Sequence, residues 1–247
     1  MLRRRHLLML CGLASAACAR KSGDEVRVAA ASNVADVLGT LAAEYHKQGG
    51  AEVSISSGSS GKLYAQIENG APFHAFFSAD EERAAKLEQK GLAVPGTRFT
   101  YALGRLALVG RKLDHPNDGA LDLRGSFHKL AIANPATAPY GVAAMQVLAK
   151  LGVATSDDKL VRGENVAQTL QFVDSGAVDL GLVALSNVMG RSDRSFWKVP
   201  ANLHEPIRQD AVLLTSGKSM PGAADFLTYV RSQPARALLA KAGYDVP

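Results

Sequence analysis

The chain alternates between short apolar runs and stretches in which apolar residues recur at helical spacing. The run Val26–Ala31 ends in the small polar pair Ser32-Asn33, and apolar residues then recur three or four positions apart through residue 42. The first pattern predicts a buried strand and the second an amphipathic helix over 34–47, with Ser32 or Asn33 at its N-terminus. This stretch therefore predicts one strand–turn–helix unit.

The same unit recurs along the chain. The predicted strands are 26–31, 52–56, 75–78, 129–133, 159–162, 179–185 and 211–215. The predicted helices are 34–47, 61–69, 80–90, 142–151, 166–175, 221–231 and 234–242. Strands that alternate with helices indicate an α/β fold, built here from mostly parallel sheets flanked by helices.

Two segments interrupt this alternation and predict a chain that crosses twice between two lobes. Residues 99–110 form one long extended segment with no helix before it, and residues 197–210 carry two prolines and little periodicity. If both segments are crossing strands, residues 25–103 and 207–247 form lobe 1 and residues 104–206 form lobe 2. Closure of the lobes would then take place near Gly104 and His204.

The first 19 residues predict a secretion signal. Arg3-Arg4-Arg5 precede a short apolar core at 7–13, and small residues follow. This is the order of an export signal, and the core is too short to span a bilayer. Export to the periplasm is expected, either with plain cleavage or with a lipid anchor on Cys18. Both cysteines lie in this segment, so the mature chain would contain no disulfide.

The charge of the mature chain gives no support to a nucleic-acid partner. The net charge is +5, and removal of the three N-terminal arginines leaves 5 − 3 = +2. The sequence contains neither a basic stripe nor aromatic residues interleaved with lysine and arginine.

Four turns rich in small and polar residues lie just before or at the start of predicted helices. They contain Ser32-Asn33, Ser59-Ser60, Pro139-Tyr140-Gly141 and Asn165-Val166. The N–H groups and positive dipole of a helix N-terminus favour an anion, and ligands of open α/β sheets bind at the carboxyl ends of strands. We therefore expect one cleft with hydroxyl and N–H donors, including Ser60 exposed in the empty cleft. Donors without an acid favour a fully deprotonated anion.

Enzymatic alternatives receive little support from the same turns. The stretch 56–63 lacks the Walker pattern, because Leu63 stands where Ser or Thr would ligate magnesium, and it lacks Gly-x-Ser-x-Gly. The histidines show no metal-ligand spacing. A serine-dependent hydrolase stays open as the alternative of a different class, although no nucleophile, base and orienting group stand out.

The chain resembles the periplasmic molybdate-binding proteins of ABC transporters. The resemblance runs from about residue 26 to 244. It is carried by AAASN at 29–33, SSGKLYAQI at 59–67, ENGAP at 68–72, FSAD at 77–80, ANP at 133–135, APYG at 138–141, ENVAQ at 164–168 and GAVDLG at 176–181.

The resemblance implies a two-lobed periplasmic binding protein fold that holds an oxyanion between its lobes. Matched motif by motif, the family's contacts fall on Ser32 with Asn33 beside it, on Ser60, on Tyr140 and on the N–H of Val166. Molybdenum would be bound only as the oxyanion, with no cofactor and no catalysis. The ligand would be molybdate or tungstate, and a receptor for sulfate or another tetrahedral oxyanion is the alternative. A monomer that delivers its ligand to a membrane permease is expected.

Two positions depart from the family's pattern. Some relatives place a tyrosine hydroxyl in the site where this chain has Ala184, so that contact is lost or is supplied by Tyr140. Many relatives carry Ala-Asp before the third strand, where this chain has His74-Ala75.

Overall fold

The computed structural model describes residues 25–154, 156–193 and 195–247. The predicted signal segment 1–19, with Cys11 and Cys18, lies outside the described residues. The strands are β1 (Val26–Ala31), β2 (Val53–Gly58), β3 (Ala75–Phe77), β4 (Phe99–Gly104), β5 (Leu106–Gly110), β6 (Leu130–Ala133), β7 (Leu160–Gly163), β8 (Leu180–Ala184), β9 (Phe196–Lys198) and β10 (Ile207–Leu213). The α-helices are α1 (Ala35–Lys47), α2 (Ser60–Glu68), α3 (Glu82–Gln89), α4 (Gly119–Arg124), α5 (Pro139–Lys150), α6 (Val166–Asp174), α7 (Pro221–Val230) and α8 (Gln233–Lys241).

The strands form two five-stranded sheets built on the same plan. The first has the order β2-β1-β3-β10-β4 and the second the order β7-β6-β8-β5-β9. In each sheet the first three strands are parallel, and the last two join antiparallel. The α/β fold with two lobes is confirmed. Each sheet is mixed because one strand, β10 in the first sheet and β5 in the second, runs opposite to the other four.

Each sheet packs its apolar strands against helices on both faces. On one face of the first sheet, Phe77 belongs to the same buried cluster as Leu38 of α1 and Phe226 of α7. On the other face, the neighbouring Phe76 belongs to a cluster with residues of α2 and α3. Burial of an aliphatic side chain of this size stabilises the fold by roughly 1.5–3 kcal/mol. A buried strand before an amphipathic helix is what the hydrophobic pattern predicts, and the core therefore follows directly from it.

The two crossings differ from the predicted segments in their detail. Residues 99–110 form two strands rather than one, because the chain leaves the first sheet after Gly104 and enters the second at Leu106. Residues 197–210, predicted as one return crossing of little periodicity, likewise do not form a single segment. They contain most of β9 and the beginning of β10, and Ile207 pairs with Gly104 in the first sheet.

One helix boundary is also corrected at the site. Helix α5 begins at Pro139 rather than at residue 142. Proline suits the first position of a helix, since the N–H that it lacks would have no partner there. Tyr140 and Gly141 therefore belong to the first turn of a helix and not to a loop. Among the described residues, no helix is both long enough and apolar enough to span a membrane.

Candidate functional site

The four predicted turns meet between the two sheets. A small cavity of about 10 Å³ is lined by Ala31, Ser32, Asn33, Gly58, Ser59, Ser60, Ala79, Ala138, Pro139, Tyr140, Asn165 and Val166. All five residues predicted to bind the ligand are in this lining, and none is more than 5% exposed. The expectation that Ser60 is exposed was wrong: only 1% of it is accessible, because the two sheets close over the cavity.

Three helices begin at the cavity lining. The first residues of α2 and α6 are Ser60 and Val166, and α5 begins at Pro139. The first N–H groups of a helix have no acceptor within the helix, and the dipole places positive partial charge at that end. Helix termini from both lobes therefore supply donors to one small space.

The Ser60 hydroxyl accepts a hydrogen bond from a neighbouring turn. The backbone N–H of Ala79 donates to Ser60 Oγ at 2.9 Å. Because a hydroxyl can both accept and donate, its proton is left available for a ligand. The neighbouring Ser59 contributes differently, since it is the N-cap of α2 and accepts from the N–H of Lys62.

Asn33 and Tyr140 belong to a buried hydrogen-bond network. Asn33 Nδ2 donates to Gln209 Oε1 at 2.8 Å and to Tyr244 Oη at 2.9 Å. Gln209 Nε2 donates to Tyr140 Oη at 3.0 Å. Burial raises the pKa of the Tyr140 hydroxyl well above its ordinary value, so this hydroxyl keeps its proton at neutral pH.

A second part of the network joins the two lobes behind Asn33. Ser186, which follows β8, donates from its Oγ to the backbone carbonyl of Asn33 at 2.9 Å. Tyr244 Oη lies 2.8 Å from the same carbonyl and 3.0 Å from Ser186 Oγ. Sequence reasoning missed Gln209, Ser186 and Tyr244, because no local pattern at these positions indicates a binding site.

Charged side chains stay outside the cavity. The described residues that line it include no acid, lysine, arginine or histidine. Lys62 pairs with Glu164 of the other lobe at 2.6 Å, and both side chains are about half exposed. The hydrolase alternative needs a base within hydrogen-bond reach of a serine, and the described lining provides none.

The edges of the cleft touch beside the cavity. The N–H of Gly61 in α2 donates to the carbonyl of Thr137 in the other lobe at 2.9 Å. A Cβ atom on Gly61 would lie 3.0 Å from the Cα of Thr137, which is closer than such contacts normally allow. Glycine at this position therefore permits the two lobes to approach closely.

The position that carries a tyrosine in some relatives contributes no hydroxyl. Ala184 is the last residue of β8 and is completely buried. Among the described residues, Tyr140 is the one tyrosine in the lining of the cavity.

Comparisons with known proteins agree on one family. The profile of the family described as bacterial extracellular solute-binding protein matches residues 26–245. The chain is 44% identical over 244 residues to a molybdate-binding protein ModA of Azotobacter vinelandii, covering 97% of this chain and 96% of that protein. It is 39% identical to the protein of that name in Rhodobacter capsulatus, covering 96% and 93%.

A solved structure shares the fold. The periplasmic molybdate-binding protein of Azotobacter vinelandii superposes with a TM-score of 0.85 at 42% identity. The superposition covers 90% of this chain and 99% of that one.

Proposed function

Because the chain belongs to the family of bacterial extracellular solute-binding proteins, we propose that it captures molybdate between its lobes and delivers it to an ABC transporter. The observation that carries the proposal is the cavity itself. Ser32, Asn33, Ser60, Tyr140 and Val166 come from both lobes, and the described lining contains no acid. Such a site suits a dianion whose oxygens all accept hydrogen bonds.

In the proposed complex, neutral donors hold the dianion. The hydroxyls of Ser32, Ser60 and Tyr140 and the N–H of Val166 donate to its oxygens, with Asn33 beside Ser32. Hydrogen bonds to charged groups contribute about 1.5–3 kcal/mol each, so a few of them give tight binding. Molybdenum is then bound only through its oxygens, and the protein needs no cofactor.

We also propose tungstate as a ligand, since it shares the charge and nearly the size of molybdate. Sulfate carries the same charge on a smaller tetrahedron and would contact fewer of these donors at once.

The protein would act in the periplasm as a monomer and not as an enzyme. Export through residues 1–19 and the choice between cleavage and a lipid on Cys18 belong to the same proposal. Mass spectrometry of the exported protein tests them, because a lipid anchor adds an acyl mass.

The cycle would consist of closure and opening of two lobes about the crossings next to Gly104 and His204. Lobe 1 would comprise 25–103 with 207–247 and lobe 2 would comprise 104–206. Backbone hydrogen bonds between Leu103 and Asp245, at 2.7 and 3.1 Å, attach the C-terminal segment to this region and support a defined axis of closure.

Calorimetric titration with molybdate, tungstate, sulfate and phosphate tests the ligand. We expect molybdate and tungstate to bind and sulfate and phosphate to bind much more weakly. Molybdate at a thousand times its dissociation constant should add about 4 kcal/mol to the free energy of unfolding. Equal stabilisation by sulfate would instead support a general receptor for tetrahedral oxyanions.

A further inference from the structure

Gln209 is buried where both lobes and the crossing strand meet. It lies in β10, opposite Ala102 of β4 and beside an irregularity in the pairing of the two strands. Its side chain has no exposed surface. A buried amide must satisfy its hydrogen bonds within the protein. Its orientation therefore determines which neighbouring groups donate a hydrogen bond to it and which accept one from it.

Two donors set the orientation of this amide. Gln209 Oε1 lies 2.8 Å from Asn33 Nδ2 and 2.8 Å from Tyr101 Oη, which both donate to it. The opposite end, Nε2, therefore points to Tyr140 Oη and donates to it at 3.0 Å. Tyr140 accepts from Gln209, and its own proton is left for the cavity that it lines.

The backbone leaves room for this contact at one place. A Cβ atom on Gly104 would lie 2.2 Å from Tyr140 Oη and 2.4 Å from Gln209 Nε2. Gly104 is the last residue of β4, immediately before the chain crosses to the other lobe. The fold therefore accommodates the Gln209–Tyr140 pair next to the crossing itself.

From this geometry we infer that Gln209 is a positioning residue that directs the Tyr140 proton into the cavity and so discriminates against protonated oxyanions. The inference rests on the proposed function and deepens it. Because the Tyr140 oxygen accepts from Gln209, its proton points away from Gln209, and the hydroxyl presents a donor to the ligand. An oxyanion that carries an O–H, such as hydrogen phosphate, would place a donor against a donor, whereas molybdate presents only acceptors. An unmatched buried donor is costly, and this makes the discrimination strong.

The test is the ratio of the affinity for molybdate to the affinity for hydrogen phosphate, measured at pH 8, where both ligands are dianions. Gln209→Glu replaces the Nε2 donor with an acceptor, so Tyr140 would donate to the new carboxylate and present its oxygen to the cavity. The added charge repels both dianions alike and cancels in the ratio. We expect the ratio to fall by about 10- to 100-fold, the range of one hydrogen bond to a charged group.

Two further variants make the result specific. Tyr101→Phe is the matched control: it removes one donor to Oε1, leaves Asn33 in place, and should change the ratio less than about threefold, since the orientation of the amide is kept. In a Tyr140→Phe background, Gln209→Glu should no longer change the ratio, because the residue through which Gln209 acts is gone. Circular dichroism checks folding. If Gln209→Glu does not fold, Gln209→Met, which removes the Nε2 donor and the Oε1 acceptor without adding charge, is measured in its place. Its ratio should also fall, because the Tyr140 oxygen no longer accepts from residue 209 and is free to accept from a ligand O–H.

The outcomes separate the two proposals. A wild-type protein that binds neither molybdate nor tungstate refutes the proposed function. A wild-type protein that binds molybdate, together with a Gln209 variant of unchanged ratio, refutes the role of Gln209 alone. A ratio that falls equally in the Tyr140→Phe background also overturns it, because the effect would then not pass through Tyr140.

Discussion

Removal of the Ser60 hydroxyl should lower both the stability of the empty protein and its affinity for molybdate. Ser60 is the first residue of α2 and is 1% exposed, and its Oγ accepts the Ala79 N–H at 2.9 Å. Ser60→Ala takes away an acceptor from the protein and a donor from the ligand in one step. The two losses concern different atoms and can be measured separately.

The expected magnitudes follow from these contacts. A buried N–H left without an acceptor costs about 1–3 kcal/mol, so the free energy of unfolding of the empty protein should fall by that amount. A donor lost from a charged ligand costs about 1.5–3 kcal/mol, which corresponds to roughly 10- to 100-fold weaker molybdate binding. Had Ser60 been exposed, as its position in a serine-rich turn suggests, the stability loss would be absent.

Urea unfolding without ligand and calorimetric titration with molybdate measure the two effects. Ser57→Ala is the matched control, because Ser57 is an exposed serine of the same segment and should change neither quantity. Ser60→Asp keeps an acceptor near the Ala79 N–H but places a negative charge beside the dianion, so its molybdate affinity should fall below that of Ser60→Ala. Binding by Ser60→Asp as tight as that of the wild type would show that the helix-terminus site is wrong.

Three further changes test neighbouring parts of the structure. Gly61→Ala should weaken molybdate binding about tenfold, because the new methyl meets Thr137 when the lobes close; an unchanged titration would show that closure tolerates it. Lys62→Gln should change the affinity less than about fivefold, since its ion pair with Glu164 is exposed, and a larger loss would place its charge in the site. Burial lowers the pKa of His74, whose Nδ1 accepts a backbone N–H. The unfolded chain therefore binds a proton more readily, and urea unfolding should show stability falling as the pH drops below about 6.5. His74→Asn should reduce that dependence, and an undiminished dependence would assign it to other groups.

The hydrophobic pattern determined the order of the strands and helices. Strand and helix periodicities are local properties, and they can be read wherever one face of an element is buried. For the same reason the turns with Ser60, Tyr140 and Val166 could be placed at helix starts. The prediction that Ser32 or Asn33 caps the first helix is wrong, because Val34 is the N-cap of α1 and no side chain caps it. The general rule that ligands bind at the carboxyl ends of strands then predicted that these turns meet, and the structure does bring them together.

The hydrophobic pattern did not predict the strand boundaries in the segments that cross between the lobes. Residues 197–210 have little periodicity because part of this segment passes between sheets and is not half-buried along its length. The start of β10 at Ile207 is determined by pairing with Gly104, more than a hundred positions earlier in the chain. A pairing between residues so far apart in the chain does not produce a local hydrophobic pattern around either of them.

Only the tertiary structure decided how the binding side chains are oriented. Asn33 meets Gln209 across 176 positions and Tyr244 across 211, so no local spacing relates them. Whether Ser60 is exposed depends likewise on how closely the opposite lobe approaches, which is determined at Gly61 and Thr137. The sequence by itself determined which donors stand at the helix starts. The packing of two lobes determined which way their protons point, because a buried hydrogen-bond network is satisfied only as a whole.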